Sequence, residues 1–143
     1  MTVDLDLCYT PASVLARRIR EGALSPVRVV ENALERIGEI NPRLNAFCFV
    51  YPDEALELAR EAERKVASGE PLGPLHGVPV AIKDLTPTRG KRTTLGSHVY
   101  EHWVPDEDAV VVQRLKAAGA IMIGKTTTPE FAHAGTTSSP LWG

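Results

Sequence analysis

Three stretches of this sequence combine residue types and spacings that could do chemistry. Gly119 to Thr126 satisfies G-x-x-x-x-G-K-[ST], the pattern of a loop that cradles phosphates with backbone amides and a lysine. Such a loop follows a strand and opens a helix. Here Ala120, Ile121, Met122 and Ile123 read as the strand itself and a helical pattern precedes them, so nucleotide binding is not expected. His98, Glu101 and His102 have the H-x-x-E-H order of an inverted zinc-protease helix. Between Gly96 and Pro105 there is room for only about two helical turns, and downstream only Glu130 and His133 stand at any ligand spacing. A solvated loop with ordinary histidines is therefore expected, without metal or other cofactor. The third stretch is Lys83-Asp84, at the carboxyl end of the apolar run Val78 to Ile82. In open α/β sheets substrates bind outside the carboxyl ends of the strands, which is where this lysine emerges. Burial disfavours an ammonium ion, and a dry lysine can accept a proton from a hydroxyl as a general base. A lysine paired with Asp84, or closing the strand end, is the plainer alternative.

The elements that must position these residues are written in caps and periods. Thr10-Pro11 and Ser25-Pro26 each set a hydroxyl ahead of a proline at the first helical position. The first helix carries Ala12, Leu15, Ala16 and Ile19 inward and stops near Gly22; the second carries Val27, Val30, Leu34 and Ile37 and stops near Asn41-Pro42. Leu44 to Val50 is short and aromatic and reads as extended. Pro52-Asp53-Glu54 opens a third helix with Ala55, Ala59, Ala62 and Val66 inward, ending at Ser68-Gly69. Residues 1–70 are thus expected to be helical scaffold.

From Pro71 the texture changes, with prolines and glycines crowding the approach to the strand at Val78 to Ile82. Asp84 to Asp106 lacks a period. Asp106 or Asp108 then caps a helix with Val111, Val112, Leu115 and Ala118 inward, Gly119 ends it, and a buried strand follows at Ala120 to Ile123. Strand, connection with helix, strand predicts a right-handed crossover and parallel strands. Two parallel strands need more sheet and cover on both faces, so residues 71–143 are expected to be the first, incomplete part of a larger α/β domain.

Composition excludes several classes. The 143 residues carry 16 Lys plus Arg against 18 Asp plus Glu, a formal charge of −2, with no basic cluster of the kind nucleic-acid binding needs. Hydrophobic residues make up 43%, which argues against disorder. The longest apolar runs fall far short of the roughly 20 residues of a membrane span. Cys8 and Cys48 are far apart and outside any C-x-x-C pair, as reduced thiols would be. The acidic opening MTVDLDL lacks the basic and apolar regions of a signal peptide, so a cytoplasmic protein is expected.

The ordered blocks SPVRVVENALERIGEINPRLNAF, GPLHGVPVAIKD, RTTLGS and LKAAGAIMIGKTTTPEF together resemble the amidase signature hydrolases. The resemblance covers most of the chain and explains Gly124-Lys125-Thr126 as the end of the second parallel strand. It implies an α/β/α sandwich around a mostly parallel mixed sheet, and hydrolysis of a small-molecule carboxylic amide without metal or cofactor. It further implies a catalytic set of serine, cis-peptide serine and lysine, in which Lys83 matches the lysine and an acyl-serine forms and is resolved by water. Phe131, Ala132, His133 and Ala134 correspond to a stretch that lines the substrate pocket.

The family's glycine-rich GGSSGG block and nucleophile segment do not stand within these residues. Ser138 and Ser139 lack flanking glycines and read as a turn ahead of Pro140. The isolated chain is therefore expected to be inactive, with the missing C-terminal part of the amidase domain as its partner; a homodimer is compatible with the sequence. Within the family, a glutamyl-tRNA amidotransferase A subunit is an alternative, from which TTTPEF and AHAGTTSSPLWG depart where that subunit tends to have TNMDEF and a STENSAFG-like sequence. A truncated, non-catalytic binding module and a metal hydrolase are the others.

Overall fold

In the computed structural model, which describes residues 3–143, Asp4 accepts the Leu7 amide at 3.0 Å and starts a short helix, α1 (Leu5–Cys8), that periodicity did not reveal. The signal-peptide reading begins at Met1 and Thr2, which lie outside the described residues. Buried Asn32 fastens this segment: its Oδ1 accepts the Asp4 amide at 2.7 Å and its Nδ2 donates to the Asp4 carbonyl at 2.9 Å.

The expected helices form, with differences at their ends. In α2 (Ala12–Arg20) Leu15, Ala16 and Ile19 are buried, but Ala12 is exposed and Pro11 stands at the N-cap. The Thr10 hydroxyl does not cap α2; it donates back to the Asp6 carbonyl at 2.8 Å, because α1 offers a nearer acceptor. Ser25 does cap α3 (Pro26–Leu44), accepting the Arg28 amide at 3.3 Å. This helix runs through Pro42 instead of stopping at it. The Asn45 amide reaches the Asn41 carbonyl at 2.7 Å, and the Asn41 side chain both accepts from the Phe47 amide at 2.8 Å and donates to its carbonyl at 3.0 Å, so the last turn is closed past the proline. α4 (Pro52–Ser68) buries Ala55, Ala59 and Ala62 and ends on Gly69 in the left-handed conformation.

Three strands make one mixed sheet in the order β1-β3-β2, from β1 (Phe47–Val50), β2 (Pro79–Lys83) and β3 (Ile121–Thr126). β2 and β3 are parallel: the Ile121 amide bonds the Val78 carbonyl at one end and the Asp84 amide bonds the Thr126 carbonyl at the other, so both strands advance together. β1 runs antiparallel to β3, with Phe49 opposite Lys125 and Val50 opposite Gly124. The segment read only as extended thus supplies a third strand. Between β2 and β3, α5 (Val110–Ala117) buries Val112, whereas Val111 is 53% exposed, against expectation. With its β3 end at Thr126, the strand also extends three residues past Ile123.

Two compact units form. One takes residues up to Ile40, Tyr51–Val80 and Leu115–Ile123; its core holds Leu7, Leu15, Ile19, Val29 and Val78. The other takes Asn41–Val50, Ala81–Arg114 and Gly124–Gly143 and contains the strand ends described next. The chain is a mixed α/β fold with a small mixed sheet. Among the described residues no helix is long and apolar enough to cross a membrane.

Candidate active site

Side chains alternate along a strand, and at the end of β2 this puts Ile82 and Asp84 inward and Lys83 outward. Lys83 is exposed, with no hydrogen bond or ion pair from its amine to the described residues; its carbonyl accepts the Thr86 amide at 2.9 Å, which closes a turn directly after it. The pairing of Lys83 with Asp84 allowed by the sequence does not form. Adjacent residues of a strand face opposite ways, and Asp84 turns to Lys125 instead.

Lys125 and Asp84 are both 0% exposed, with the ammonium 3.5 Å from Oδ1. The same oxygen accepts the Thr94 amide at 3.1 Å, while Oδ2 accepts the Thr94 hydroxyl and the Trp142 indole N–H, the latter at 3.3 Å. Lys125 Nζ also donates to the Thr86 carbonyl at 3.1 Å and to the Thr93 hydroxyl. Its three protons therefore have three acceptors: Asp84, Thr86 and Thr93. Removing a charge from water costs several kcal/mol, which this full set of partners must offset. Burial pushes the Lys125 amine below the ordinary lysine range, and the Asp84 charge opposes that shift.

Around this cluster, Cys48 donates from Sγ to the Lys125 carbonyl at 3.4 Å; burial first, and then the Asp84 charge, push its thiol up to about 12. Trp142 meets Phe49 edge-on with ring centres 5.2 Å apart, and the Arg92 guanidinium lies 5.2 Å from the Phe49 ring centre and 5.9 Å from that of Trp142. Ser139 seats the indole by accepting the Trp142 amide at 3.0 Å, within a turn closed by reciprocal amide bonds between Ser139 and Gly143.

The two motif matches take other forms. Gly119 to Thr126 is a turn and then β3, with the lysine in the buried cluster. His98 to Tyr100 is a single 3-10 turn in which His98 Nδ1 lies 3.1 Å from Glu101 Oε2, a hydrogen bond that holds the Glu101 carboxyl below its usual range. Among the described residues no group of three or more His, Cys, Asp or Glu is placed to hold a metal.

The amidase family model matches residues 28–143. The chain belongs to the amidase family. The A subunit of glutamyl-tRNA(Gln) amidotransferase from Salinispora tropica is 43% identical over 96% of this chain, which spans 28% of that relative's length. Among solved structures, the peptide amidase of Stenotrophomonas maltophilia is similar over 98% of this chain and 30% of its own, at 32% identity and a TM-score of 0.86. A bacterial aryl acylamidase of the amidase signature enzymes is similar over 94% of this chain and 28% of its own, at 29% identity and a TM-score of 0.89.

Within this amidase chain, the residues singled out from the sequence fall in separate places. Lys83 stands at the end of β2. Phe131, Ala132, His133 and Ala134 lie at and after a 3-10 turn, Glu130–Ala132, in which Phe131 and Ala132 have φ of 50° and 56°. The Phe131 amide bonds the Leu95 carbonyl at 2.8 Å, and its half-exposed ring meets Tyr100 edge-on at 6.1 Å. His133 Nδ1 lies 2.6 Å from the Glu130 carbonyl. No hydrogen bond or ion pair joins this turn to Lys83 among the described residues. The sequence reading missed Asp84, Thr93, Thr94, Lys125 and Trp142 as one cluster. A signal was present: Ile121, Ile123 and Lys125 share one strand face, as do Ile82 and Asp84, so two opposite charges continue two buried apolar rows.

Proposed function

We propose that the protein containing these residues hydrolyses a small-molecule carboxylic amide, with Lys83 as the base that starts the reaction. The observation that carries this reading is the division of labour at the end of β2: Asp84 is held in the buried cluster, while the Lys83 amine stands apart from it with no partner among the described residues. An amine outside a local ion pair is not held in its charged form by a carboxylate, and cover from the rest of the protein is what would free it to take a proton. The family resemblance supplies the remaining groups: a nucleophilic serine and a second serine that relays its proton to neutral Lys83. The serine oxygen adds to the amide carbon, the C–N bond breaks as the leaving nitrogen is protonated, and water cleaves the acyl-serine to free acid and enzyme.

The test is turnover of the whole protein against a panel of aryl, alkyl and peptide amides. Amine or ammonia release that is lost in Lys83→Met, with the fold intact by circular dichroism, supports the reading. Undiminished turnover in Lys83→Met overturns it.

A second reading, the A subunit of an amidotransferase acting on glutamyl-tRNA, is favoured by the 43% identity to such a subunit. TTTPEF in place of TNMDEF speaks for the small-molecule amidase. Ammonia release from glutamine that appears only when the other subunits of such a transferase are added would decide for the transferase.

A further inference from the structure

We infer that Lys125 is a positioning residue for Lys83, acting through a clamp on the turn that follows it; this rests on the reading of Lys83 as the base. The geometry is specific. The Thr86 amide bonds the Lys83 carbonyl at 2.9 Å, so residues 83–86 form one tight turn. Lys125 grips this turn at two points, the Asp84 carboxylate at 3.5 Å and the Thr86 carbonyl at 3.1 Å, and braces itself on the Thr93 hydroxyl. Thr93 in turn donates to the Lys91 carbonyl at 3.1 Å, and Asp84 is tied through its own backbone to Thr126 at 2.8 Å and Leu95 at 3.0 Å.

A side chain with three or more rotatable bonds, as Lys83 has, is only as well placed as the backbone that carries it. The sheet holds the backbone through Lys83, where β2 ends, and the Asp84 amide adds a bond to the Thr126 carbonyl. Beyond that the chain leaves the sheet, and the clamp holds the turn as far as Thr86. A buried polar cluster with every donor satisfied is rigid, because leaving any member unpaired away from water is costly. Among the described residues no hydrogen bond runs from the Lys125 amine to Lys83; its effect passes through Asp84 and Thr86. Because a shift of about 1 Å in a reacting group can cost on the order of 100-fold in rate, loosening this turn should appear in kcat before it appears in substrate affinity.

The experiment uses the whole enzyme with an amide it turns over. Lys125→Met, which keeps the volume and removes the donor, is expected to lower kcat on the order of 100-fold with KM within about twofold. Because this variant leaves Asp84 buried without its cation and so can fail to fold, Thr93→Val and Thr93→Ser provide a second pair that leaves both charges in place. Thr93→Val is expected to lower kcat about tenfold at unchanged KM, and Thr93→Ser, which keeps the hydroxyl, to recover most of that loss. A folded Lys125→Met with parental kcat overturns the inference, as does a Thr93→Val that matches Thr93→Ser, or a loss confined to KM. Lys83→Met separates the two readings. If it abolishes turnover while the Lys125 and Thr93 variants do not impair it, only the clamp fails; if Lys83→Met is itself active, the assignment of the base fails first.

Discussion

Asp84 and Lys125 face each other at 0% exposure as an opposite-charge pair within the buried cluster. Truncating one partner strands the other, so Asp84→Ala is expected to destabilise the protein by about 3–5 kcal/mol, measured by urea denaturation. Asp84→Asn keeps an acceptor and a shape that fit the Thr94 amide and should cost less; equal losses would mean that packing rather than charge sets the effect. The two cysteines make a second residue-scale test. Cys8 is exposed, whereas the Cys48 thiol is half-buried and pushed up to about 12, so it stays protonated well above neutral pH. Since the thiolate is the nucleophile, iodoacetamide at pH 8 should label Cys8 at least about tenfold faster than Cys48, read by peptide mass analysis. Equal rates would show that the Cys48 environment is open. At this scale the sequence put Lys83 at the end of β2 but expected a dry amine, whereas its side chain is exposed, and it did not reveal the buried pairing beside it. Asp84 and Lys125 are 41 positions apart by number, and only the pairing of two strand ends through β3 brings them together.

The elements were legible where a local signal fixed them. Ser25 ahead of Pro26 and Ala55, Ala59 and Ala62 at helical spacing lead directly to α3 and α4. They were not legible where the outcome depends on a partner: the extended stretch at Phe47 becomes a strand only because β3 offers it an antiparallel edge, and α3 passes Pro42 because Asn41 finds Phe47. Two glycines test this reading in opposite directions. A side chain at Gly124 would run into the Phe49 carbonyl oxygen, with Phe47 Cδ1 at 3.1 Å and Val50 Cα at 3.2 Å, so β1 could not keep its place beside β3. Gly124→Ala should therefore cost roughly 1–3 kcal/mol, the range of overpacking in a core. Gly38 lies on an exposed face of α3, where an added Cβ would meet nothing within 4 Å, so Gly38→Ala should stabilise by about 0.5–1 kcal/mol through helix propensity. Thermal unfolding of both variants checks the pair, and a stabilising Gly124→Ala would refute the close approach of β1.

At the scale of the whole molecule, the deciding fact is how the sheet ends. β3 lies between two neighbours, while β2 has one, so the far edge of β2 carries backbone amides and carbonyls that no strand among the described residues pairs. Ala81 and Lys83 are exposed on it. Parallel strands are found with both faces covered and in larger sheets, and the chain spans 28% of the length of its Salinispora relative. Together these lead to a prediction about hydrogen exchange. In the isolated 143-residue chain, the amides of Gly124 to Thr126, where β3 is paired with β1 as well as β2, should exchange far more slowly than those of Val80 to Ile82, because opening an edge strand breaks one ladder and opening the central strand breaks two. In the whole protein the gap should close, as further sheet pairs with the free edge of β2 and protects its outward amides. Protection at Val80 to Ile82 that stays low in the whole protein would mean that β2 remains an edge there, and Lys83 would then stand at the margin of the sheet instead of at a crevice between strands.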